Sequence, residues 1–280
     1  MADSLRDRVM FMSGGSRGIG LAIATRVARD GVKVALMAKT AEPHPKLPGT
    51  IYSAAEEIEA AGGEALPIVG DIRDADAVET AVAQTVERFG GIDLVVNNAS
   101  AINLAPMREL PVKRFDLMQQ INARGTFVVT QACLPYLRES DHAHVLTLSP
   151  PLSVDSRWLA GHSAYTLSKM GMTMITLGVA ADEPGIGANC LWPRTIIATA
   201  AVQNLLGGDE AMARARTPEI LADAAYEILG RDPRSTTGNT FIDDEVLAEA
   251  GITDLSGYAA ADSNLVLDIF VDGWPEGVPA

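Results

Sequence analysis

A doubly wound α/β fold, one parallel sheet with helices on both faces, is what this chain predicts, and three features predict it. Short runs rich in Val, Ile and Leu alternate with helix-length amphipathic stretches from one end to the other. Most of those runs are continuously apolar, the pattern of strands covered on both faces. A glycine-rich turn, Ser13-Gly-Gly-Ser-Arg-Gly-Ile-Gly20, joins the first run to the first amphipathic stretch.

Taken in order, the strand candidates are residues 9–13, 32–38, 65–70, 92–97, 144–149, 188–192 and 240–243, which makes a sheet of about seven strands. Helices are predicted over 18–30, 54–61, 74–89, 113–138, 163–181 and 218–229. In the first helix Ile19, Ile23 and Val27 form a stripe spaced by four, and Gly31 supplies the stop. Strand–helix–strand alternation of this kind demands right-handed crossovers. Two segments fit poorly. Residues 39–52 form a long, Pro-rich connection where an α/β unit usually needs only a few residues. Residues 244–280 have weak periodicity and are expected to cover the sheet edge or reach a neighbouring subunit. With no internal repeat, heptad or low-complexity segment, one domain over residues 1–280 is expected.

Composition narrows the partners. A length of 280 residues allows a large core in one domain, and 48% hydrophobic with 21% charged residues is ordinary for a globular protein. A formal charge of −14 argues against nucleic acid and anionic membrane, both of which demand basic surface. No stretch approaches the roughly 20 apolar residues of a membrane span, and the charged N-terminus lacks the apolar region of a secretory signal. Cys133 and Cys190 are far apart, without metal-ligand spacing, and read as buried thiols. No metal is expected, and the cytoplasm is the expected location.

The turn holding Gly14, Gly18 and Gly20 has the chemistry of a dinucleotide site. Glycines allow a tight turn and close approach of the backbone to a pyrophosphate, and the helix that follows offers free N–H groups to the phosphates. The end of the second strand meets the adenosine ribose in such folds, where a carboxylate suits a 2′-hydroxyl and a cation a 2′-phosphate. This chain has Met37-Ala-Lys-Thr40 there, with Arg17 in the turn, so NADP(H) is expected over NAD(H). Asp71 can accept from the adenine amino group or cap the helix that starts near Asp74. Asn97-Asn-Ala-Ser100 puts amides and small residues where a backbone can pass close under a cofactor.

Tyr165 and Lys169 turn that binding site into a redox site. Four residues apart on a helix, their side chains share one face. A phenol, with an ordinary pKa of about 10, is a poor proton donor until an ammonium beside it favours the phenolate.

In their order and spacing, Ser13–Gly20, Asp71, Asn97-Asn-Ala-Ser100, Asn122, Tyr165-x-x-x-Lys169 and Pro193 resemble the short-chain dehydrogenase/reductase superfamily over nearly the whole chain. The fold this implies is a single Rossmann-type domain. The stretches 38–52, Leu148-Ser-Pro-Pro-Leu152 and Leu191-Trp-Pro-Arg-Thr195 are similar to its hydroxysteroid dehydrogenase-like protein 2 group, whose longer members carry a sterol-carrier domain not expected here. The resemblance implies that Tyr165 is the acid/base, that Lys169 lowers its pKa and holds the nicotinamide ribose, and that Asn122 kinks its helix and positions a relay water. Cofactor contacts are implied for Gly14, Ser16, Arg17, Gly18, Ile19 and Gly20 in the turn, then Lys39, Asp71, Ile72, Asn98, Ala99, Tyr165, Lys169, Pro193 and Thr195.

Two residues depart from the family pattern. Pro150 stands where the family has its carbonyl-polarising serine, and a proline cannot donate a hydrogen bond. Ser149, at the strand end, is the expected substitute, with Ser153 the alternative. Arg194 replaces a glycine after Pro193; it is expected to face solvent or pair within the protein, with capture of a substrate anion as the other reading. The apolar loops 150–162 and 194–208 suggest a small hydrophobic alcohol or carbonyl substrate, and the family a homodimer or homotetramer. A dinucleotide-binding sensor or scaffold that has lost efficient catalysis is the alternative, resting on Pro150.

Overall fold

The strands form because apolar residues fill most of their positions. The computed structural model describes residues 5–44, 47–205, 207–261 and 264–274. In it β1 (Val9–Ser13), β4 (Leu94–Asn97), β5 (His144–Leu148) and β6 (Gly187–Trp192) are buried at each residue. With β2 (Lys33–Ala38), β3 (Glu64–Val69) and β7 (Thr240–Ile242) they make a seven-stranded parallel sheet in the order β3-β2-β1-β4-β5-β6-β7.

Alternate residues of each strand feed opposite cores. Met10, Met12, Val34, Leu36, Val96 and Leu146 pack on one side with Ile23 and Val27 of α1 (Gly18–Ala28) and Ile220, Ala224 and Ile228 of α10 (Glu219–Leu229). Phe11, Ala35, Val95 and Val145 face the other way, onto Val78 and Ala81 of α3 (Ala75–Phe89) and Val129 and Cys133 of α5 (Ala123–Leu137). Among the described residues the other α-helices are α2 (Ile51–Ala60), α4 (Val112–Ile121), α6 (Ser156–Leu159), α7 (Ser163–Asp182), α8 (Ala200–Leu205), α9 (Gly208–Ala213) and α11 (Asp243–Glu249).

Several boundaries differ from those expected. The helix expected to begin at Ala54 starts three residues earlier, because Thr50 and Ser53 form a reciprocal cap: Ser53 N donates to Thr50 Oγ1 at 3.1 Å and Thr50 N to Ser53 Oγ at 2.9 Å. The single helix expected over 113–138 is two, α4 and α5, which meet at Asn122. The tail does not simply cover the sheet edge. Its first turns form α11, packed on the α10 side of the core through Val246 and Leu247. Residues 264–274 then cross the carboxyl end of β6, with Ile196 N donating to Val266 O (3.0 Å) and Asp268 N to Arg194 O (2.9 Å).

Candidate active site

The carboxyl ends of β1, β4, β5 and β6 converge on one edge of the sheet, the usual ligand face of an open parallel sheet. There the glycine turn is held by its neighbours. Asn98 Nδ2 donates to Gly14 O at 2.7 Å, and Ala99 N to Ser13 Oγ at 3.3 Å. A Cβ at Gly14, which sits at φ +78°, would lie 2.8 Å from Ala99 Cα; one at Gly20 would lie 2.7 Å from Gly14 O. Both positions therefore require glycine. Ser16 is buried, Gly18 and Ile19 open α1, and Ile72 packs beneath Gly125, where a Cβ would lie 2.5 Å from its Cδ1.

At the adenosine end Lys39 Nζ lies 3.5 Å from Asp71 Oδ2 and is half exposed. Asp71 is gripped by Arg73, whose Nε donates to both carboxylate oxygens at 2.9 and 3.0 Å, and that hydrogen bonding holds its pKa down at about 2. Asp71 does not cap α3; Asp74 does, accepting from Asp76 N and Ala77 N. The Arg17 guanidinium is turned to the Pro-rich connection, donating to Pro48 O (2.9 Å) and Gly49 O (3.1 Å). That connection thus folds back onto the glycine turn.

Tyr165 and Lys169 lie on α7, buried together. Lys169 Nζ donates to Leu148 O at 2.5 Å and sits 5.0 Å from the centre of the Trp192 ring. Burial pushes the Tyr165 phenol up, with the nearby charge of Asp268 adding to the shift, in the opposite direction to the lowering expected from Lys169. The same burial pulls the Lys169 ammonium down to about 7, against the pull of Asp268 and Cys190 in the other direction. Asn122 is fully engaged, and this is what breaks the helix: its Oδ1 accepts from Ala101 N (2.7 Å), and its Nδ2 donates to Ala101 O (2.9 Å) and Ser168 Oγ (2.8 Å). Ser168 Oγ in turn donates to Tyr165 O, so Asn122 braces the turn that carries the tyrosine.

Ser149, expected to polarise a carbonyl, is not brought to Tyr165. Its Oγ accepts from Thr173 Oγ1 at 2.9 Å, two helical turns, or roughly 12 Å, further along α7. Ser149 is fully buried, its side chain turned into the protein. Ser153 lies on the loop before α6, where its Oγ caps Asp155 N at 3.2 Å. Arg194 pairs within the protein: Nε reaches both oxygens of Asp244 at 3.0 and 3.1 Å, Nη2 meets Glu245 at 2.5 Å, and Nη1 donates to Gly273 O at 2.7 Å.

The residues that fit a nicotinamide dinucleotide are the glycine cradle and Thr195, beside Pro193, whose Oγ1 is buried without a hydrogen-bond partner. A buried, unpaired hydroxyl at the carboxyl end of β6 is a place for a polar ligand atom.

Sequence reasoning left Asp268 and Phe270 unassigned, although Leu265–Val271 is apolar but for Asp268, inside a polar tail. Asp268 is held by burial at about 7, well above its ordinary 3.8, as is Asp243, with Asp268 opposed by the charge of Lys169. In the range from 3.8 to about 7 the folded chain therefore binds protons that the unfolded chain has released, and stability falls as pH rises. Lys169 acts oppositely, from about 7 to 10.5. Asp268→Asn is expected to flatten the descending limb by up to about 1.4 kcal/mol per pH unit, read from urea unfolding of the cofactor-free protein between pH 4 and 7. An unchanged limb would place the titration elsewhere.

Comparison with known proteins gives a consistent picture. Residues 8–207 match the short chain dehydrogenase family. Hydroxysteroid dehydrogenase-like protein 2 from Xenopus tropicalis is 52% identical over 271 residues, which is 96% of this chain but 64% of that protein. This chain thus spans under two thirds of that relative's length. Among solved structures, a putative dehydrogenase from Xanthomonas campestris is 55% identical with a TM-score of 0.93, over 96% of this chain and 99% of its own. A blue fluorescent protein from a metagenomic library, solved in complex with NADPH, is 28% identical with a TM-score of 0.73, over 85% of this chain and 97% of its own.

Proposed function

This chain belongs to the short-chain dehydrogenase family of oxidoreductases, and on that premise we propose that it moves a hydride between NADP(H) and a small hydrophobic alcohol or carbonyl compound, with Tyr165 as the acid/base. The observation that carries the reading is the buried pair of Tyr165 and Lys169 on one face of α7. The family's fold binds a nicotinamide dinucleotide, which supplies the hydride when bound. This chain's residues do the rest. Burial keeps the proton on the Tyr165 oxygen, the protonation state that donation to a carbonyl oxygen needs. Lys169, positioned by Leu148 O, carries the charge that stabilises the phenolate left behind. Thr195 and the glycine cradle hold the cofactor, and Lys39 favours the 2′-phosphate. The test is oxidation of NADPH and NADH against a panel of apolar aldehydes and ketones. Turnover with NADPH supports the reading; binding without turnover on any substrate would favour the sensor.

Lys39→Ala is expected to raise the KM for NADPH about tenfold, the worth of one charge-assisted contact, and to leave that for NADH within about twofold. Equal effects on both cofactors would remove Lys39 from the choice. Assembly as a homodimer or homotetramer follows the same premise. Phe127 on α5 with Leu167 and Met174 on α7 are exposed apolar residues, and the latter two lie seven apart on one helix face. Leu167→Asp is expected to shift the chain to monomer in size-exclusion chromatography, and an unmoved elution volume would exclude this face.

A further inference from the structure

The reactive pair is sealed from solvent. Tyr165 is 5% exposed and Lys169 3%, so no substrate touches either while the C-terminal segment lies in place. Phe270 makes the seal. Its ring centre lies 5.8 Å from that of Trp192, 5.9 Å from Trp158, 6.0 Å from His162 and 6.4 Å from Tyr165. It stacks within 27° of His162 and 26° of Tyr165. The ring is delivered by a strap and not by the sheet or its helices. The strap is held by Ile196 N donating to Val266 O, Val266 N to Arg214 O, Asp268 N to Arg194 O, the Arg214 guanidinium to Asn264 O, the Arg194 guanidinium to Gly273 O, the Trp192 indole N–H to Ile269 O at 2.8 Å, and an exposed ion pair between Arg157 and Asp272. Phe270 sits at φ +71°, in the left-handed region that non-glycine residues seldom occupy.

A strained residue on a strap outside the sheet and its helices, stacked against the Tyr165 ring, is placed where a gate would stand. We propose that Phe270 decides which substrates reach Tyr165, by occupying the slot that the apolar body of the substrate takes over when the strap swings out. The proposal rests on the oxidoreductase reading given above. A ligand shifts such an equilibrium only by what it gains in the open form. An apolar carbonyl compound with a flat or ring-shaped body re-covers Trp158, His162 and Trp192 once Phe270 leaves. A short polar carbonyl leaves them bare, and the strap stays shut. Phe270 is thus a selectivity residue that enforces apolar bulk by its own resistance to displacement.

The test uses the full chain carrying Trp274→Phe, so that tryptophan fluorescence reports Trp158 and Trp192 alone. Phe270→Gly removes the ring and tolerates the positive φ; Asp272→Ala cuts only the exposed ion pair and leaves the core intact. Acrylamide quenching should steepen about twofold or more in Phe270→Gly, and less in Asp272→Ala, as the closed population falls. The ratio of kcat/KM for ring-bearing ketones over short aldehydes should change about tenfold in Phe270→Gly, a bound set by an open state near a tenth of the molecules. Unchanged quenching in both variants would overturn the gate, and raised quenching with unchanged discrimination would overturn its part in selectivity. Raised quenching with no turnover in any protein would uphold the gate and sink the oxidoreductase reading instead.

Discussion

Tyr165→Phe is expected to lower kcat by about three orders of magnitude, within the range supplied by a positioned acid/base, while NADPH affinity stays within about twofold. The substitution deletes one oxygen and leaves the ring. The stack on Phe270 at 6.4 Å and the Asn122–Ser168 brace behind the helix turn are therefore untouched. Any loss of rate then belongs to the proton, not to packing. The measurement is single-turnover oxidation of bound NADPH, with cofactor affinity from fluorescence titration of the same preparation. A variant that keeps more than about a tenth of the parent rate would remove Tyr165 from proton transfer.

Arg194→Ala is expected to cost about 3–5 kcal/mol of stability, because it strands buried charge. Arg194 and Asp244 have side chains only 6% and 4% exposed, and the remaining cation, Arg216, approaches Asp244 no closer than 3.6 Å. Asp243 lies alongside, one of its oxygens already without a partner and its pKa raised by burial first and by Asp244 second. Removing the guanidinium also frees Gly273 O, one anchor of the strap. Arg194→Lys keeps the charge but not the forked geometry and should fall between the two. Urea denaturation monitored by circular dichroism decides it. A loss under about 1 kcal/mol would mean that desolvation had cancelled the pairing.

Much of this was legible in the sequence because buried parallel strands announce themselves. Continuous apolar runs placed β1, β4, β5 and β6 within two residues of their positions. The glycine turn and the Tyr165/Lys169 pair were legible because both rest on fixed local spacing. What stayed hidden depends on partners far along the chain. Periodicity runs straight through residues 113–138; the kink at Asn122 was expected from the family resemblance alone, and its cause, the grip of Asn122 on Ala101 21 residues away, shows only in the fold. The sequence shows that Arg194 is charged, but its neutralising carboxylates come from 50 residues later. Ser149 was legible as a strand-end serine, while its inward aim is fixed by Thr173. Phe270 belongs to a run too short to carry a period.

The strand order has a consequence for how the protein is made. β1 takes β4 as its inner neighbour, with Val9 N bonded to Asp93 across a separation of 84 residues. At the usual pace of synthesis, about 5–20 residues per second, that partner follows roughly 4–17 seconds after β1 itself. Until then the row Val9-Met-Phe-Met12 presents one open, apolar edge. Rapid closure of the local β1-α1-β2 unit limits the exposure of that edge, and aggregation during translation is expected to rise with the apolarity of β1.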